Sequence, residues 1–270
     1  MKPHLLAQTS LVRMLYDPTF ADAVRARPRE VLSGLPVELA DELGRVDPRA
    51  LRRDMHRRER TLGELCKELP CTTTLAVVET RSMCVLTAFY ASEHFHAAIV
   101  EGHALVLALG VYLESQLADG ALRNPHLAAV LAVELASARA RRDVARTQAG
   151  KLARVAGVEP LEVPAGTLAT IRAVEQHRFR LSLLPAWAVA CDPPPLELPT
   201  LGAPTPVCAV SIDGDVSVVE FERPLHAILV SLPQPRTRAA VLDEAALRLG
   251  GDRRAAEAAL DELIEGELVE

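Results

Sequence analysis

Three histidines near the middle of the chain have the spacing that comes closest to a metal site. They are His94, His96 and His103, with Glu93 and Glu101 beside them. Imidazole and carboxylate groups are common metal ligands in proteins. On one helix His96 and His103 would share a face while His94 pointed elsewhere, and no HExxH pairing accompanies them. The spacing therefore favours ordinary histidines at a helix surface or boundary over a metal site.

No other catalytic pattern is visible in the sequence. The GxSxG nucleophile elbow, the phosphate-binding glycine loop and the dinucleotide-binding glycine set are missing. Spacing alone does not identify a catalytic triad, because only the fold brings its members together. The five cysteines lack CxxC spacing and suit buried free thiols in a reducing cytoplasm. We expect a cytoplasmic protein that is not an enzyme by itself and carries no cofactor of its own.

Arginines are concentrated in two places. The first group is Arg49, Arg52, Arg53, Arg57, Arg58 and Arg60, and the second is Arg139, Arg141, Arg142, Arg146, Lys151 and Arg154. Charge runs are usually solvated helix faces. The alternative is a positive patch that meets an acidic protein or peptide, for which we select Arg52, Arg53, Arg57 and Arg58 as partner-binding residues. Nucleic acid is disfavoured, because aromatic residues do not interleave with these arginines.

The C-terminal segment, Val207 to Glu270, has the pattern of a winged helix. Two β-rich runs, 207–212 and 216–221, are joined across Asp213-Gly214, a strong hairpin signal. Three helical patterns follow, over residues 224–232, 237–249 and 252–265. Gly250-Gly251 ends the second of these helices and Asp252 caps the third.

The charge of this segment argues against nucleic acid as its ligand. It contains 13 acidic and 6 basic residues, a net charge of −7, whereas the whole chain carries −6. Phosphate binding requires a basic face, so this segment would be repelled by DNA. The same architecture can bind a peptide as an added strand at the hairpin edge. The predicted peptide-binding residues are Val216, Val218, Val219 and Glu220 of the second strand and Arg253, Arg254, Glu257 and Leu260 of the last helix.

The rest of the composition predicts a mainly helical protein. Of 270 residues, 49% are hydrophobic but only 3% are aromatic, which favours helices packed through Ala and Leu. We predict a helical bundle over residues 1–150, a helical extension that packs on it over 151–191, a proline-rich linker over 192–206 and a winged-helix-like α+β domain over 207–270. The chain start carries no secretory signal, and the longest apolar run is shorter than the ~20 residues of a membrane span, so we expect no membrane association.

Several short motifs resemble those of a known family. They are the segments Leu15–Phe20, Arg60–Leu65, Leu69–Thr72, Ala88–Ser92, Ala108–Leu113 and Leu131–Ala136. With them the chain resembles partner subunits of the multinuclear non-haem iron-dependent oxidative enzymes, which modify ribosomally made precursor peptides. One departure is that a Tyr-Arg-Asn element of many relatives is His56-Arg57-Arg58-Glu59 here. The resemblance implies that the bundle docks on the iron enzyme as a heterodimer. It also implies that the C-terminal segment captures the leader, the N-terminal recognition part of the precursor peptide. This segment is similar to the recognition element of ribosomally synthesised and post-translationally modified peptides (RiPPs).

Three functions remain as hypotheses. The leading one is a non-catalytic, peptide-binding partner of an iron-dependent peptide-modifying oxidase, with the iron on the oxidase. The second is a transcriptional regulator that uses the winged helix on DNA. The third is an enzyme with a site near His96 and His103.

Overall fold

A computed structural model describes residues 3–52, 56–144, 148–184 and 194–270. The chain divides into two compact units, Met1–Arg123 and Asn124–Glu270, called here the first and second unit. Most described residues are helical, and the sheet in the second unit has three antiparallel strands, with helices after it. The predicted class, mainly helical with a C-terminal α+β part, is confirmed at this level. Within the described ranges, no helix is both long and apolar enough to cross a lipid bilayer.

The first unit is built from helices. They are α1 Pro3–Tyr16, α2 Pro18–Ala26, α3 Pro28–Val31, α4 Val37–Gly44, α5 Pro48–Arg52, α6 Arg57–Glu68, α7 Pro70–Thr80, α8 Cys84–Thr87, the 3-10 helix Ala88–Ala91, α9 Glu93–Glu101 and α10 Leu105–Ala118. Proline at the first helical position recurs because its missing N–H would have no partner there. The Asp17-Pro18 pair in the sequence predicts an N-cap followed by the first helical residue, and the Asp17 carboxylate does accept the Phe20 backbone N–H at 3.0 Å.

An aromatic cluster forms part of the core of the first unit. Tyr16, Phe89, Tyr90, Phe95 and Tyr112 have ring centroids 4.9 to 6.1 Å apart in their contacting pairs. Such pairs contribute about 0.5–1.5 kcal/mol beyond the burial of their surface. The buried Tyr90 hydroxyl donates to the backbone carbonyl of Arg58 at 2.6 Å, which ties α6 to this cluster.

The second unit places a sheet between helices. Its elements are α11 Pro125–Ala140, β1 Val158–Pro164, α12 Thr167–Ser182, β2 Pro204–Ile212, β3 Asp215–Glu220, α13 Arg223–Val230, α14 Arg238–Arg248 and α15 Arg253–Glu265. The strand order is β1-β2-β3, so β2 is central.

Successive side chains of β2 lie on opposite faces of the sheet and pack into two separate cores. Val207 and Ala209 of β2 pack on the side of α11, against Val133 and Ala136. Cys208, between them in sequence, joins the core formed with α13, α14 and α15. Successive side chains of a strand point to opposite faces, so each face of β2 is covered by its own layer of helices.

The arrangement differs from the predicted segments in three respects. The predicted bundle 1–150 includes α11, but Pro125–Ala140 belongs to the second unit. Residues 151–191 were predicted as a helical extension, but Val158–Pro164 is strand β1, paired with β2 from Val158↔Val210 to Pro164↔Pro204. The predicted linker 192–206 joins α12 to β2 inside the second unit, and its last residues belong to β2. Residues 200–203 lie against the loop after β1, where Ala165 and Gly202 form a backbone hydrogen bond of 2.9 Å. The proline-rich stretch therefore connects parts of one unit rather than two domains.

Candidate functional site

The β2–β3 hairpin closes through a two-residue turn. Ile212 and Asp215 are paired, and Asp213 and Gly214 between them have φ of 53° and 89°. Positive φ at both central residues is the type I′ geometry, which Asp-Gly adopts readily and which matches the twist of the strands. The turn was predicted, and it fixes the register of β3 on β2.

This register determines which backbone groups of β3 face away from the sheet. In a two-residue hairpin the closing pair is hydrogen-bonded, and such pairs alternate with non-bonded pairs along the strands. The Phe221 N–H donates to the Pro206 carbonyl at 3.0 Å, which agrees with this alternation. The backbone N–H and C=O groups of Val216, Val218 and Glu220 therefore point outward. No strand within the described ranges pairs with that edge.

The opposite edge of the sheet is formed by β1 and has fewer outward backbone N–H donors. The Ser211 N–H donates to the Gly157 carbonyl at 2.8 Å, so Val158, Pro160, Glu162 and Pro164 are the β1 residues whose backbone groups point away from β2. Proline has no N–H, and it blocks pairing at sheet edges. Two of these four outward positions thus lack a donor. The β3 edge offers a donor at each of its outward positions.

Side chains of β3 divide between packing and exposure. Val216 and Val218 are partly buried against the sheet face that α11 covers, with Ala136 and Ala140. Val219 points to the other face and is 42% exposed, and the side chain of Glu220 is also exposed. Of the predicted peptide-binding residues in β3, Val216 and Val218 can therefore offer mainly backbone groups. Val219 and Glu220 can also offer side chains.

The last helix provides less than was predicted. Leu260 is 0% exposed and belongs to the core that α15 forms with α13 and α14, so its assignment as a peptide contact is corrected to a core residue. Arg253 is engaged by two carboxylates: its guanidinium donates to Asp243 at 2.5 Å and to Glu257 at 3.3 Å. The Asp243 hydrogen bond, followed by that of Glu257, raises the pKa of Arg253. Arg254 is exposed and forms no ion pair with any described residue.

The predicted partner-binding arginines of the first unit are only partly described. Arg53 and the side chain of Arg52 lie outside the described residues. Arg57 and Arg58 are both half-buried at the start of α6. The Arg58 guanidinium carbon lies 5.3 Å from the centroid of the Tyr90 ring, a cation–π contact. Arg58 also lines a polar groove with Tyr16, Asp17 and Cys84. It is thus held against the aromatic cluster and is not part of a fully solvated face.

The histidines are arranged differently from the prediction. Helix α9 ends at Glu101, and Gly102 at φ 71° turns the chain, so His103 is not on the helix that carries His96. His94 and His103 line one open groove, whereas His96 does not line it. Burial, followed by the positive charge of Arg13, lowers the pKa of His96 to about 4. Within the described ranges, no cluster of three or more His, Cys, Asp or Glu side chains could hold a metal ion.

Comparison with known proteins adds no family to this picture. No protein-family model matches the sequence, and no curated protein matches it. The resemblance to partner subunits of iron-dependent oxidative enzymes therefore remains an expectation based on short motifs. The geometry of the β3 edge is the observation with the most direct bearing on function.

Proposed function

We propose that this protein is a non-catalytic partner that binds the leader of a ribosomal precursor peptide and presents it to an iron-dependent peptide-modifying oxidase. The observation that supports the proposal is the open β3 edge, with outward backbone groups on Val216, Val218 and Glu220. An extended peptide that adds to this edge would form a fourth strand next to β3.

Backbone pairing would supply affinity that depends little on the peptide sequence. Each outward residue of β3 has one N–H and one C=O, and each hydrogen bond contributes about 0.5–1.5 kcal/mol net. The neighbouring side chains would then select among peptides, because alternate residues of an added strand meet alternate faces of the sheet. The exposed β3 side chains available for this selection are Asp215, Ser217, Val219 and Glu220.

The contribution of this protein to the reaction would be positional. A peptide held near an active site reaches an effective concentration commonly in the millimolar range for short flexible tethers. The iron and the oxidation would belong to the oxidase. In the first unit, Arg57 and Arg58 are the described arginines that we propose as contacts to that enzyme.

The charges of the second unit weigh against the alternative of DNA binding. Between Val207 and Glu270 there are 6 basic residues, all arginines. Four of them form ion pairs with carboxylates: Arg236, Arg238, Arg248 and Arg253. A face that binds phosphates needs several cations free to replace counterions. Only Arg223 and Arg254 of this segment have no ion-pair partner among the described residues.

The proposal can be tested by co-purification and by direct binding. Neighbouring genes would first be searched for an iron-dependent oxidase and a short precursor peptide. The tagged chain would then be expressed with both, and we expect both to be retained on the affinity resin. Failure to retain either the oxidase or the precursor peptide would end the proposal. A mobility-shift assay with duplex DNA at low salt is the control, in which we expect no shift.

A further inference from the structure

The β3 edge is surrounded by negative charge that the protein does not neutralise. Asp213 and Asp215 lie at one end of β3, and Glu220 and Glu222 lie at the other. All four carboxylates are exposed, and none has an ion-pair partner among the described residues. Between Val207 and Pro235, Arg223 is the one arginine or lysine in the sequence. A strand that pairs with β3 would therefore lie next to carboxylates at both of its ends.

The side chains of β3 lie on two faces, and these faces determine which residues of an added strand each carboxylate would contact. Asp215 and Val219 point to the same face, and Glu220 points to the opposite one, because side chains alternate along a strand. Directly opposed residues on neighbouring strands project to the same side and lie close enough to interact. A partner residue opposite Val219 would meet an exposed apolar side chain. Residues opposite Asp215 and Glu220 would each meet a carboxylate, about 17 Å apart at the usual rise per residue.

The same charges disfavour a second copy of this chain as the occupant. Pairing of two β3 edges would bring two acidic edges together, and like charges across a strand pair are destabilising. Charged side chains on an open edge commonly prevent such self-pairing. A foreign strand of opposite charge would avoid this repulsion.

We infer that the peptide that adds to β3 is basic, with Lys or Arg opposite Asp215 and Glu220 and an apolar residue opposite Val219. The inference rests on the proposed strand addition and specifies its substrate class. Arg253 and Arg254, predicted as peptide-binding residues, would favour acidic side chains instead, but Asp243 and Glu257 already engage Arg253.

The test uses three fluorescein-labelled synthetic peptides that share the same central segment of alternating Thr and Val residues. They differ at the two flanking positions, which are lysine, glutamine or glutamate. Binding to the full-length chain is measured by fluorescence polarisation at low and at physiological salt. We expect the lysine peptide to bind most tightly and the glutamate peptide least. We also expect the preference for lysine to decrease at the higher salt concentration, because exposed charges are screened.

Two variants with equal net charge show whether binding depends on the carboxylates of β3 or on the total charge of the protein. Asp215→Asn with Glu220→Gln removes two carboxylates from β3, and we expect the lysine peptide to bind roughly three- to tenfold more weakly. Glu262→Gln with Glu265→Gln removes two exposed carboxylates from α15 and should leave binding within about twofold of the wild type. Equal losses in the two variants would overturn the inference, as would equal binding of the three peptides.

Two further variants, at Glu220, distinguish failure of the inference from failure of the proposed site. Glu220→Pro removes an outward N–H, and Glu220→Thr keeps it. If proline but not threonine abolishes binding of all three peptides, and the peptides bind wild type equally, strand addition stands and the basic substrate class does not. If proline and threonine have the same effect, or no peptide binds, both the β3 site and the inference are contradicted.

Discussion

Val210 and Ser217 face each other across β2 and β3 as a hydrogen-bonded pair, whereas the backbone groups of the neighbouring Val218 point away from the sheet. This alternation follows from the Asp213-Gly214 turn and from the bond between the Phe221 N–H and the Pro206 carbonyl. The backbone N–H and C=O groups of each β3 residue therefore either bond to β2 or point to the open edge. Proline substitution can separate these two roles, because proline removes one N–H.

Ser217→Pro and Glu220→Pro should therefore have different effects. Both side chains are exposed, so little packing is lost in either variant. Proline at 217 removes a donor to β2, and we expect it to lower the free energy of unfolding by about 1–3 kcal/mol. Proline at 220 removes an outward donor and should change stability less while weakening peptide binding at least tenfold. Thermal unfolding and fluorescence polarisation measure the two effects. Equal destabilisation by both variants would contradict the assigned register.

Leu260→Ala should destabilise the second unit through a cavity. The side chain is 0% exposed and lies in the core shared with Ile228 and Val241. Truncation of a buried leucine to alanine usually costs about 2–5 kcal/mol. Leu247→Ala on α14 is the matched control, since Leu247 is 79% exposed and its truncation should change stability by less than about 0.5 kcal/mol. Urea unfolding of both variants gives the comparison. A stable Leu260→Ala variant that has lost only peptide binding would restore the contact role.

The sequence was informative wherever the structural signal was local. The Asp213-Gly214 turn and the helix cap Asp252, whose side chain accepts the Ala255 N–H, are examples. These signals depend on residues a few positions apart. The same holds for the proline at the start of α2.

Strand β1 was missed because its evidence is non-local. Val158 pairs with Val210, which lies far along the sequence beyond α12, so neighbouring residues give no cue to this pairing. Pro160 and Pro164 also argue against a strand, although both fit here because they lie at outward positions of an edge strand. Once β1 is placed, it identifies β3 as the edge with a full set of donors. That distinction could not be made from the hairpin sequence alone.

The assignment of Leu260 to the surface and the shared helix face of His96 and His103 were wrong for a different reason. Alanines on several sides of α15 left its buried face ambiguous, so Leu260 could be assigned either to the core or to a surface trough. His96 and His103 were compared on one continuous helix, but Gly102 ends α9 in a left-handed conformation. Glycine at this position is a common helix stop, and weighing it would have separated the two histidines.

His96 should make the stability of the first unit dependent on pH. Its folded-state pKa is about 4, mainly because of burial, against roughly 6.5 for an exposed imidazole. The unfolded chain binds a proton below pH 6.5 that the folded state excludes, so this contribution is complete above that pH and is lost as pH falls toward 4. The loss at pH 5 is on the order of 1–2 kcal/mol. His96→Gln should reduce the decrease in stability between pH 7 and pH 5, whereas the exposed control His103→Gln should not. Parallel pH profiles for wild type and His96→Gln would contradict this prediction.

Arg57 and Arg58 allow the two proposed binding activities to be separated. They belong to the first unit and the β3 edge belongs to the second, so charge reversal at both arginines should weaken oxidase binding and leave peptide binding unchanged. We expect at least a tenfold loss for the oxidase, since like charges at an interface can cost several kcal/mol. Arg45→Glu, at an exposed position at the end of α4, is the control for a general charge effect.

The Arg58 side chain also contacts Tyr90, so its replacement has a structural component that must be measured separately. Loss of the cation–π contact should lower the free energy of unfolding by about 0.5–1 kcal/mol. Arg58→Lys keeps the positive charge but not the planar guanidinium, so it separates charge from shape. If the charge-reversal variant remains folded and binds the oxidase as tightly as wild type, these arginines are not the docking residues. If it loses the oxidase and retains the peptide, docking and capture reside in different units of the chain.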